Sequence, residues 1–411
     1  MRTPGKPPAF FAPTPRPRLP KIGFSLGRHG LMREECGCGG TPKIFAMNPL
    51  MKILLAACLS FPLTAPLFAQ DSASDRPSEK SWTIAVIPDT QYYVRSSKDA
   101  PLFTEMTEWL AKNRKKYNIQ MVLHVGDIVD DNNKEQWERA KESMGKLDGK
   151  IPYVLAVGNH DLGRNSSDRS TMLNDYFKIS DNKLNKKIFG GAFEEGKLEN
   201  AWYRFSYGGR DYVIFSLEFG PRKEVVEWAE GVAKKHARQS FILVTHEFID
   251  QESTLFSDDG MARHTTSKTK NSPYGYGIGK DKNVHSGEEL WDAFVSKHSN
   301  FELVVNGHYK PYARVSPDSN EVKWLSELAV SRREDKYPDG RVVHQMLFNG
   351  QWAPRGGNGW FRLLEFLPDG KTLKVWTISP YLEETSKEPG TGWPTTPEMR
   401  FTLQLPPPVG R

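Results

Sequence analysis

The chain has 411 residues, of which 38% are hydrophobic and 26% charged, so it can bury a large core. Its formal charge of +6 is concentrated near the start, because nine of the 56 Lys and Arg but only two of the 50 Asp and Glu precede residue 70. The remaining chain has 47 basic and 48 acidic residues, a net charge of −1. Such a neutral body lacks the basic surface of nucleic-acid-binding proteins, so we expect no nucleic-acid partner.

The first 80 residues divide into segments that we expect to lie outside the folded domain. Residues 1–46 are rich in Pro and Arg. We interpret them as a leader that is either disordered or upstream of the true start codon, with translation beginning at Met47 or Met51. Residues 70–80 are polar and predict a flexible linker.

Residues 51–69 have the features of a secretory signal peptide: one basic residue, an apolar run, and a small residue, Ala69, before a polar segment. The apolar run is too short and too broken by Pro for a transmembrane helix. All three cysteines precede residue 70, so the rest of the chain has neither disulfides nor thiolate chemistry. A lipoprotein cleavage box ending at Cys58 would give an unusually short signal. We therefore favour soluble export, to the periplasm or the medium, over a lipid anchor.

From Ser81 onward, short apolar runs alternate with amphipathic segments. Apolar residues three or four positions apart predict helices around Trp137, after Pro221, and after Ser286, which begins a capping-box pattern with Glu289. Continuous apolar runs predict strands covered on both faces, and the alternation predicts an α/β layered domain. The predicted strands are Trp82–Pro88, Gln120–Val125, Tyr153–Val157, Tyr212–Leu217, Phe241–Thr245 and Phe301–Val305.

Two later segments have a different character. Residues 250–284 are polar, and a loop of this length in a compact domain is usually functional or mobile. After residue 310, short apolar runs joined by Gly and Pro turns predict a β-rich C-terminal part. Its predicted strands are Val342–Leu347, Trp360–Phe366 and Leu373–Ile378. We interpret residues 81–405 as a single domain that includes this part.

Polar residues follow directly after the predicted strands. In open α/β sheets, ligands bind outside the carboxyl ends of the strands, so we expect these side chains to converge at one edge. Together they supply the carboxylate, amide and imidazole groups that suit divalent transition metals. The candidate metal ligands are Asp89, Gln91, Asp127, Asn159, His246 and His308.

These residues lie in five short motifs, in this order: Asp89-Thr90-Gln91, Gly126-Asp127-Ile128-Val129-Asp130, Gly158-Asn159-His160-Asp161, His246, and Gly307-His308. The ordered set resembles the calcineurin-like metallophosphoesterase superfamily across roughly residues 89–310. The resemblance implies a four-layered αββα sandwich that holds two divalent ions of Mn, Fe or Zn. It also implies hydrolysis of a phosphomonoester or phosphodiester by attack of metal-bound hydroxide.

The resemblance also assigns a role to each ligand. Asp127 would bridge both ions. The first ion would be held by Asp89 and Gln91, and the second by Asn159, His246 and His308.

His160 would stabilise the transferring phosphoryl group or protonate the leaving oxygen, and Asp161 would orient it. Gln91 and Lys310 depart from the family pattern, because imidazoles that bind the first metal usually occupy both positions. An ammonium group cannot ligate a cation, so the sequence leaves open whether the first metal binds. Lys310 is then a candidate substrate contact, and His344 is a candidate substitute ligand or substrate contact.

The chain also resembles a bacterial subgroup of exported phosphoesterases whose first motif is Asp-Thr-Gln. The similar segments are Ile87–Gln91, Asn306–Tyr309, Val343–Met346 and Gly356–Gly359. We expect a small-molecule or cell-envelope phosphoester as substrate, with residues 250–284 setting specificity in the envelope case. The departures at the first metal keep a second function open: a non-catalytic or single-metal module of the same fold that binds phosphate or another anion.

Overall fold

A computed structural model describes residues 76–163, 168–251, 262–278, 283–311 and 327–410. The predicted leader and signal peptide lie outside the described residues. Residues 76–80 of the predicted linker are docked on the domain. The Arg76 guanidinium lies 2.7 Å from the Glu383 carboxylate, and the backbone N–H of Ser78 donates to Glu365 at 2.7 Å.

The strands, in chain order, are β1 (Trp82–Ile87), β2 (Ile119–His124), β3 (Tyr153–Leu155), β4 (Phe189–Ala192), β5 (Ala201–Tyr207), β6 (Arg210–Leu217), β7 (Ser240–Thr245), β8 (Phe301–Asn306), β9 (Ala329–Lys336), β10 (Val342–Asn349), β11 (Phe361–Phe366), β12 (Thr372–Ile378) and β13 (Arg400–Gln404). The nine predicted strands correspond to β1, β2, β3, β6, β7, β8, β10, β11 and β12. The apolar runs do not reveal β4, β5, β9 or β13. In β5, buried residues alternate with more exposed ones, so no continuous apolar run marks it.

The helices are α1 (Gln91–Val94), α2 (Ala100–Asn113), α3 (Lys134–Met144), α4 (Leu173–Tyr176), α5 (Lys183–Ile188), α6 (Lys223–Lys235), α7 (Gly287–Ala293), α8 (Pro354–Gly357) and α9 (Pro380–Thr385), with 3₁₀ turns at Gly145–Leu147 and Val295–Lys297. The predicted capping box is present at α7, where Ser286 and Glu289 satisfy each other's backbone N–H. No helix in the described ranges combines the length and apolar character needed to cross a membrane.

The strands form two sheets. The first has the order β13-β12-β11-β1-β2-β3, and the second has the order β4-β5-β6-β7-β8-β10-β9. Neighbours within β1-β2-β3 and within β6-β7-β8-β10 are parallel, so their carboxyl ends lie at the same edge of each sheet. The C-terminal strands extend both sheets: β11 joins β1 antiparallel, and β10 joins β8 in parallel.

Apolar side chains fill three layers. Residues such as Ile84 and Val244 pack between the two sheets. Trp137 of α3 belongs to the core that covers the outer face of the first sheet, together with α2. Leu290 of α7 belongs to the corresponding core outside the second sheet, together with α6. This arrangement is the expected four-layered αββα sandwich, and it leaves the carboxyl ends of the parallel strands at one edge.

Candidate metal centre

The loops after the parallel strands of both sheets contact one another at this edge. The backbone N–H of Gln91, just after β1, donates to the carbonyl of Asp127, just after β2, at 3.0 Å. The backbone N–H of His308, after β8, crosses to the other sheet and donates to the Asp89 carboxylate at 3.0 Å. The imidazole of His246, after β7, lies 3.2 Å from the Asp127 carboxylate. The structure thus brings residues from both sheets into one buried cluster.

Glycine in the motifs allows this close approach. A side chain at Gly158 would collide with the Oδ1 atom of Asp127, and one at Gly307 would collide with the Asp89 carboxylate. Asp127 and His308 themselves have positive φ angles of 48° and 77°. Such left-handed conformations cost about 1–3 kcal/mol each for residues with a Cβ, and they cluster at functional sites.

Two imidazoles are held in defined tautomers by backbone carbonyl groups. The Nδ1 atom of His246 donates to the carbonyl of Val125 at 2.9 Å, and the Nε2 atom of His308 donates to the carbonyl of Asn271 at 2.7 Å. Each ring therefore presents its other nitrogen without a proton when neutral. These two nitrogens, His246 Nε2 and His308 Nδ1, lie 3.1 Å apart. Two lone pairs at this distance repel each other unless a positive charge lies between them.

The spacing fits a bound divalent cation. Ligand atoms about 2.0–2.1 Å from one ion in tetrahedral geometry lie about 3.3 Å from each other. Ligand atoms of Asp127, His246 and His308 all lie within 4.8 Å of one another and are buried. The Oδ1 atom of Asn159 is also buried and has no hydrogen-bond partner in the described part of the chain. Nitrogen, carboxylate and amide oxygen together form a donor set for a borderline transition metal.

Neighbouring carboxylates stabilise a positive charge at the two imidazoles of His246 and His308. Burial lowers the pKa of His246, but the carboxylates of Asp127 and Asp89 outweigh burial and raise it to about 9. Burial lowers the pKa of His308 to about 3, and the neighbouring His246 adds to this effect. One positive charge shared by the two imidazoles is therefore stabilised here, whether a proton or a cation supplies it.

The other half of the centre is formed by Asp89 and Gln91. The Asp89 carboxylate accepts hydrogen bonds from the His308 backbone and, at 2.6 Å, from the Nδ2 atom of Asn349. Burial raises the pKa of Asp89 to about 8, although the charge of His246 opposes this shift. The Oε1 atom of Gln91 is buried and accepts no hydrogen bond from any described residue. A buried amide oxygen without a hydrogen-bond donor is a suitable ligand for a cation.

A sequence model of the calcineurin-like phosphoesterase family matches residues 83–312, more than half of the chain. The protein belongs to the calcineurin-like phosphoesterase family. All six candidate ligands and His160 lie within the matched residues. The match ends before β10 and therefore excludes Asn349.

Other comparisons give more distant similarities. The uncharacterized protein YvnB of Bacillus subtilis (strain 168) is 30% identical over 334 residues, which cover 80% of this chain but only 22% of YvnB. This chain therefore spans about a fifth of that relative's length. A dimetal phosphatase from Danio rerio is 13% identical to this chain, with a TM-score of 0.43. The similarity covers 79% of this chain and 99% of the phosphatase chain. A purple acid phosphatase from yellow lupin seeds is 14% identical, with a TM-score of 0.44. This similarity covers 81% of this chain and 55% of the lupin chain.

The position of His344 on β10 contradicts the prediction that it is a ligand of the first metal. The imidazole of His344 is bonded to the carbonyl of Gln404 at 2.8 Å and lies 3.3 Å from the Glu334 carboxylate. It precedes Asn349 by five residues of β10, or roughly 16 Å. His344 therefore does not reach the ligands of the first metal, and its predicted contact with substrate stays a prediction. Asn349 reaches the centre instead. Its only signal in the sequence is an Asn-Gly pair at the end of an apolar run.

The structure also corrects the predicted partner of His160. Both carboxylate oxygens of Asp161 accept backbone hydrogen bonds, from Val129 at 2.9 Å and from Gly158 at 2.8 Å. Asp161 thus shapes the turns that carry the ligands and does not orient His160. The Nδ1 atom of His160 bonds to the carbonyl of Asp130 at 2.7 Å and lies 3.6 Å from its carboxylate.

Aromatic rings surround the imidazole pair. The ring of Phe219 lies 5.2 Å from that of His308, and Tyr276 packs edge-on against Phe219 at 5.5 Å between ring centroids. Tyr276 and Asn271 belong to the predicted 250–284 loop, so the described part of this loop contacts the centre. The side chain of Lys310 is exposed, in contrast to the buried Tyr309 before it. Its predicted contact with substrate stays a prediction.

Proposed function

We propose that this protein hydrolyses a phosphomonoester or phosphodiester at the centre formed by Asp127, His246 and His308. The observation that carries the proposal is the pair of facing imidazole nitrogens beside a buried carboxylate, with both tautomers set by backbone carbonyls. Divalent cations, when bound, supply Lewis-acid activation of the phosphoryl group and of the attacking water.

His160 is the proton donor in this proposal. Its bond to the Asp130 carbonyl fixes the proton on Nδ1, so Nε2 is the atom available to a substrate. Burial lowers the pKa of His160, but the Asp127 charge and the Asp130 carbonyl and carboxylate outweigh burial and raise it above the ordinary value. This shift favours the doubly protonated ring, which can donate a proton to the leaving oxygen. The Asp130 carboxylate, paired with Arg95 at 3.5 Å, stabilises the imidazolium.

Hydrolysis is tested by assaying the purified protein on an aryl phosphate and on a bis-aryl phosphate, after reconstitution with Mn²⁺ and with Zn²⁺. We expect metal-dependent release of the phenol from at least one of the two. Metal binding without turnover of either compound would instead support the anion-binding module.

We also propose that the protein is exported and acts on a small-molecule or cell-envelope phosphoester. The signal-like sequence of residues 51–69 and the neutral charge of the remaining chain support this proposal. The test is expression of the full chain followed by N-terminal sequencing of the protein outside the cytoplasm. We expect the sequence to begin at Gln70, after Ala69. Uncleaved protein confined to the cytoplasm would contradict export.

A further inference from the structure

The two halves of the centre offer different ligand atoms. We propose that the first metal position is an all-oxygen site that takes a hard divalent cation such as Mg²⁺ or Mn²⁺. We also propose that Asn349 is its positioning residue. The second position, with the two imidazoles, takes a borderline metal such as Zn²⁺. The inference rests on the proposed dimetal centre, but it concerns the selection of metals and not hydrolysis.

The described residues around the first position contribute oxygen ligands. Asp89 and Asp127 supply carboxylates, and Gln91 supplies a buried amide oxygen that has no partner among the described residues. Their backbones are locked together, because the N–H groups of Thr90 and Gln91 both donate to the Asp127 carbonyl at 3.0 Å. The residues that carry these three oxygens therefore lie in two turns that are bonded to each other.

The neighbouring imidazole cannot replace these oxygens. His124 is buried under the turn, but its Nε2 atom bonds to the hydroxyl of Thr90 at 3.0 Å. Its Nδ1 atom accepts the backbone N–H of Gly126 at 3.2 Å. Both ring nitrogens are therefore used. The free nitrogens of His246 and His308 face each other and the Asp127 carboxylate, which places them at the second position.

Ligand type then separates the preferred metals. Carboxylate and carbonyl oxygens suit Mg²⁺, Ca²⁺ and Mn²⁺, whereas imidazole suits Zn²⁺ and other borderline ions. A centre with oxygen atoms on one side and two imidazoles on the other should therefore bind two unlike ions.

Asn349 fixes the geometry of the oxygen side. Its Nδ2 atom donates to Asp89 Oδ2 at 2.6 Å, while its Oδ1 atom accepts the backbone N–H of Gln351 at 3.0 Å. If the Asn349 amide were flipped, its NH₂ group would face the backbone N–H of Gln351, and two donors would oppose each other. The backbone N–H of Gln351 therefore sets the orientation of the amide. Asn349 therefore holds one carboxylate oxygen of Asp89 and orients the other, as partners of metal ligands commonly do.

The inference is tested by calorimetric titration of the chelator-treated protein with Zn²⁺ and with Mn²⁺. We expect one tight Zn²⁺ equivalent and a second, weaker equivalent at which Mn²⁺ competes with Zn²⁺. In Asn349→Ala, the weaker step should lose about 10–100-fold in affinity while the tight step is unchanged.

His344→Ala, a change at a buried residue of the same strand, is the matched control and should alter neither step. Gln91→His should make the weaker step prefer Zn²⁺.

A second variant covers the case in which Asn349→Ala does not fold. Asn349→Asp places a carboxylate against Asp89, so we expect a lower melting temperature that saturating Mn²⁺ restores. A loss that Mn²⁺ does not restore would contradict the inference. So would two Zn²⁺ equivalents of equal affinity, a single equivalent with every metal, or an equal effect of Asn349→Ala on both steps. These readouts need no substrate, so an inactive protein with two unlike sites would refute hydrolysis and support this inference.

Discussion

The two halves of the metal centre use different means to position their ligands. In the imidazole half, backbone carbonyls accept one N–H hydrogen bond from each of His246 and His308, which directs the other nitrogen toward the centre. In the oxygen half, the donors of Asn349 and of the His308 backbone hold the Asp89 carboxylate. An imidazole is thus directed by a hydrogen bond to its own second nitrogen, whereas the carboxylate is directed by donors from other segments of the chain.

The largest expected effect comes from breaking the imidazole half. In His246→Ala, the nitrogen that faces both Asp127 and His308 is lost. Metal ions supply several kcal/mol of transition-state stabilisation, so activity should fall by about 10³-fold or more. Elemental analysis should show loss of the tight equivalent. His236→Ala, at the end of α6, is the control and should retain metal and activity. Full metal content in His246→Ala would show that the imidazole half is not the tight site.

A change at His160 should separate proton transfer from metal binding. We expect His160→Asn to lower kcat by about 10²–10⁴-fold, the usual contribution of general acid catalysis. Metal content should be unchanged in both halves. Because the protonated ring is the active form and its pKa is raised, wild-type activity should fall as pH rises through that pKa. The pH–rate profile of the variant should lack this alkaline decline. Its persistence would assign the proton to another group.

Metal binding at the imidazole half should depend on pH. Below about pH 9, the His246 ring carries a proton that an arriving cation must displace. Affinity of the tight step should therefore rise about tenfold per pH unit between pH 6 and 8, and level off as pH passes the pKa of His246. Titrations in buffers of different ionisation enthalpy would count the released protons. A tight step that binds equally at pH 6 and pH 8 would contradict the raised pKa of His246.

The smallest effect on chemistry should come from Asp161. The Asp161 carboxylate accepts hydrogen bonds from the backbone N–H groups of Val129 and Gly158. In Asp161→Asn, one of these two donors loses its acceptor. Hydrogen bonds to charged groups contribute about 1.5–3 kcal/mol, and we expect this decrease in the free energy of unfolding by denaturant titration. The alkaline decline due to His160 should keep its position. If Asp161 orients His160, that decline would shift instead.

Much of the fold could be predicted because its central strands are covered on both faces. β2 and β8, for example, are almost entirely buried, so apolar residues dominate their sequences. β5 and β9 alternate or end in charged residues because their outer faces reach solvent, and this pattern is weaker. The predicted helices do not include α2, although its buried residues Leu102, Phe103, Met106 and Leu110 have helical spacing.

The clustering of Asp127, His246 and His308 could be predicted because each lies shortly after the end of a parallel strand. The supporting residues could not, because their positions depend on pairings between distant segments. Asn349 reaches Asp89 only because β10 pairs in parallel with β8, which sets its end beside His308. His344 lies on the same strand but five residues earlier, and no local pattern distinguishes the two. Asp161 is adjacent to His160 in sequence and Asp130 is 30 residues away, yet the turns place Asp130, and not Asp161, against the ring.

Every function proposed for this centre requires that His246, His308 and Asp127 together hold a cation. The most direct test is anomalous diffraction at the zinc absorption edge from crystals of the protein grown with Zn²⁺. We predict a strong peak between the Nε2 atom of His246, the Nδ1 atom of His308 and the Asp127 carboxylate. A structure at saturating Zn²⁺ in which this position has no peak, with the two imidazoles still bonded to the carbonyls of Val125 and Asn271, would contradict the account.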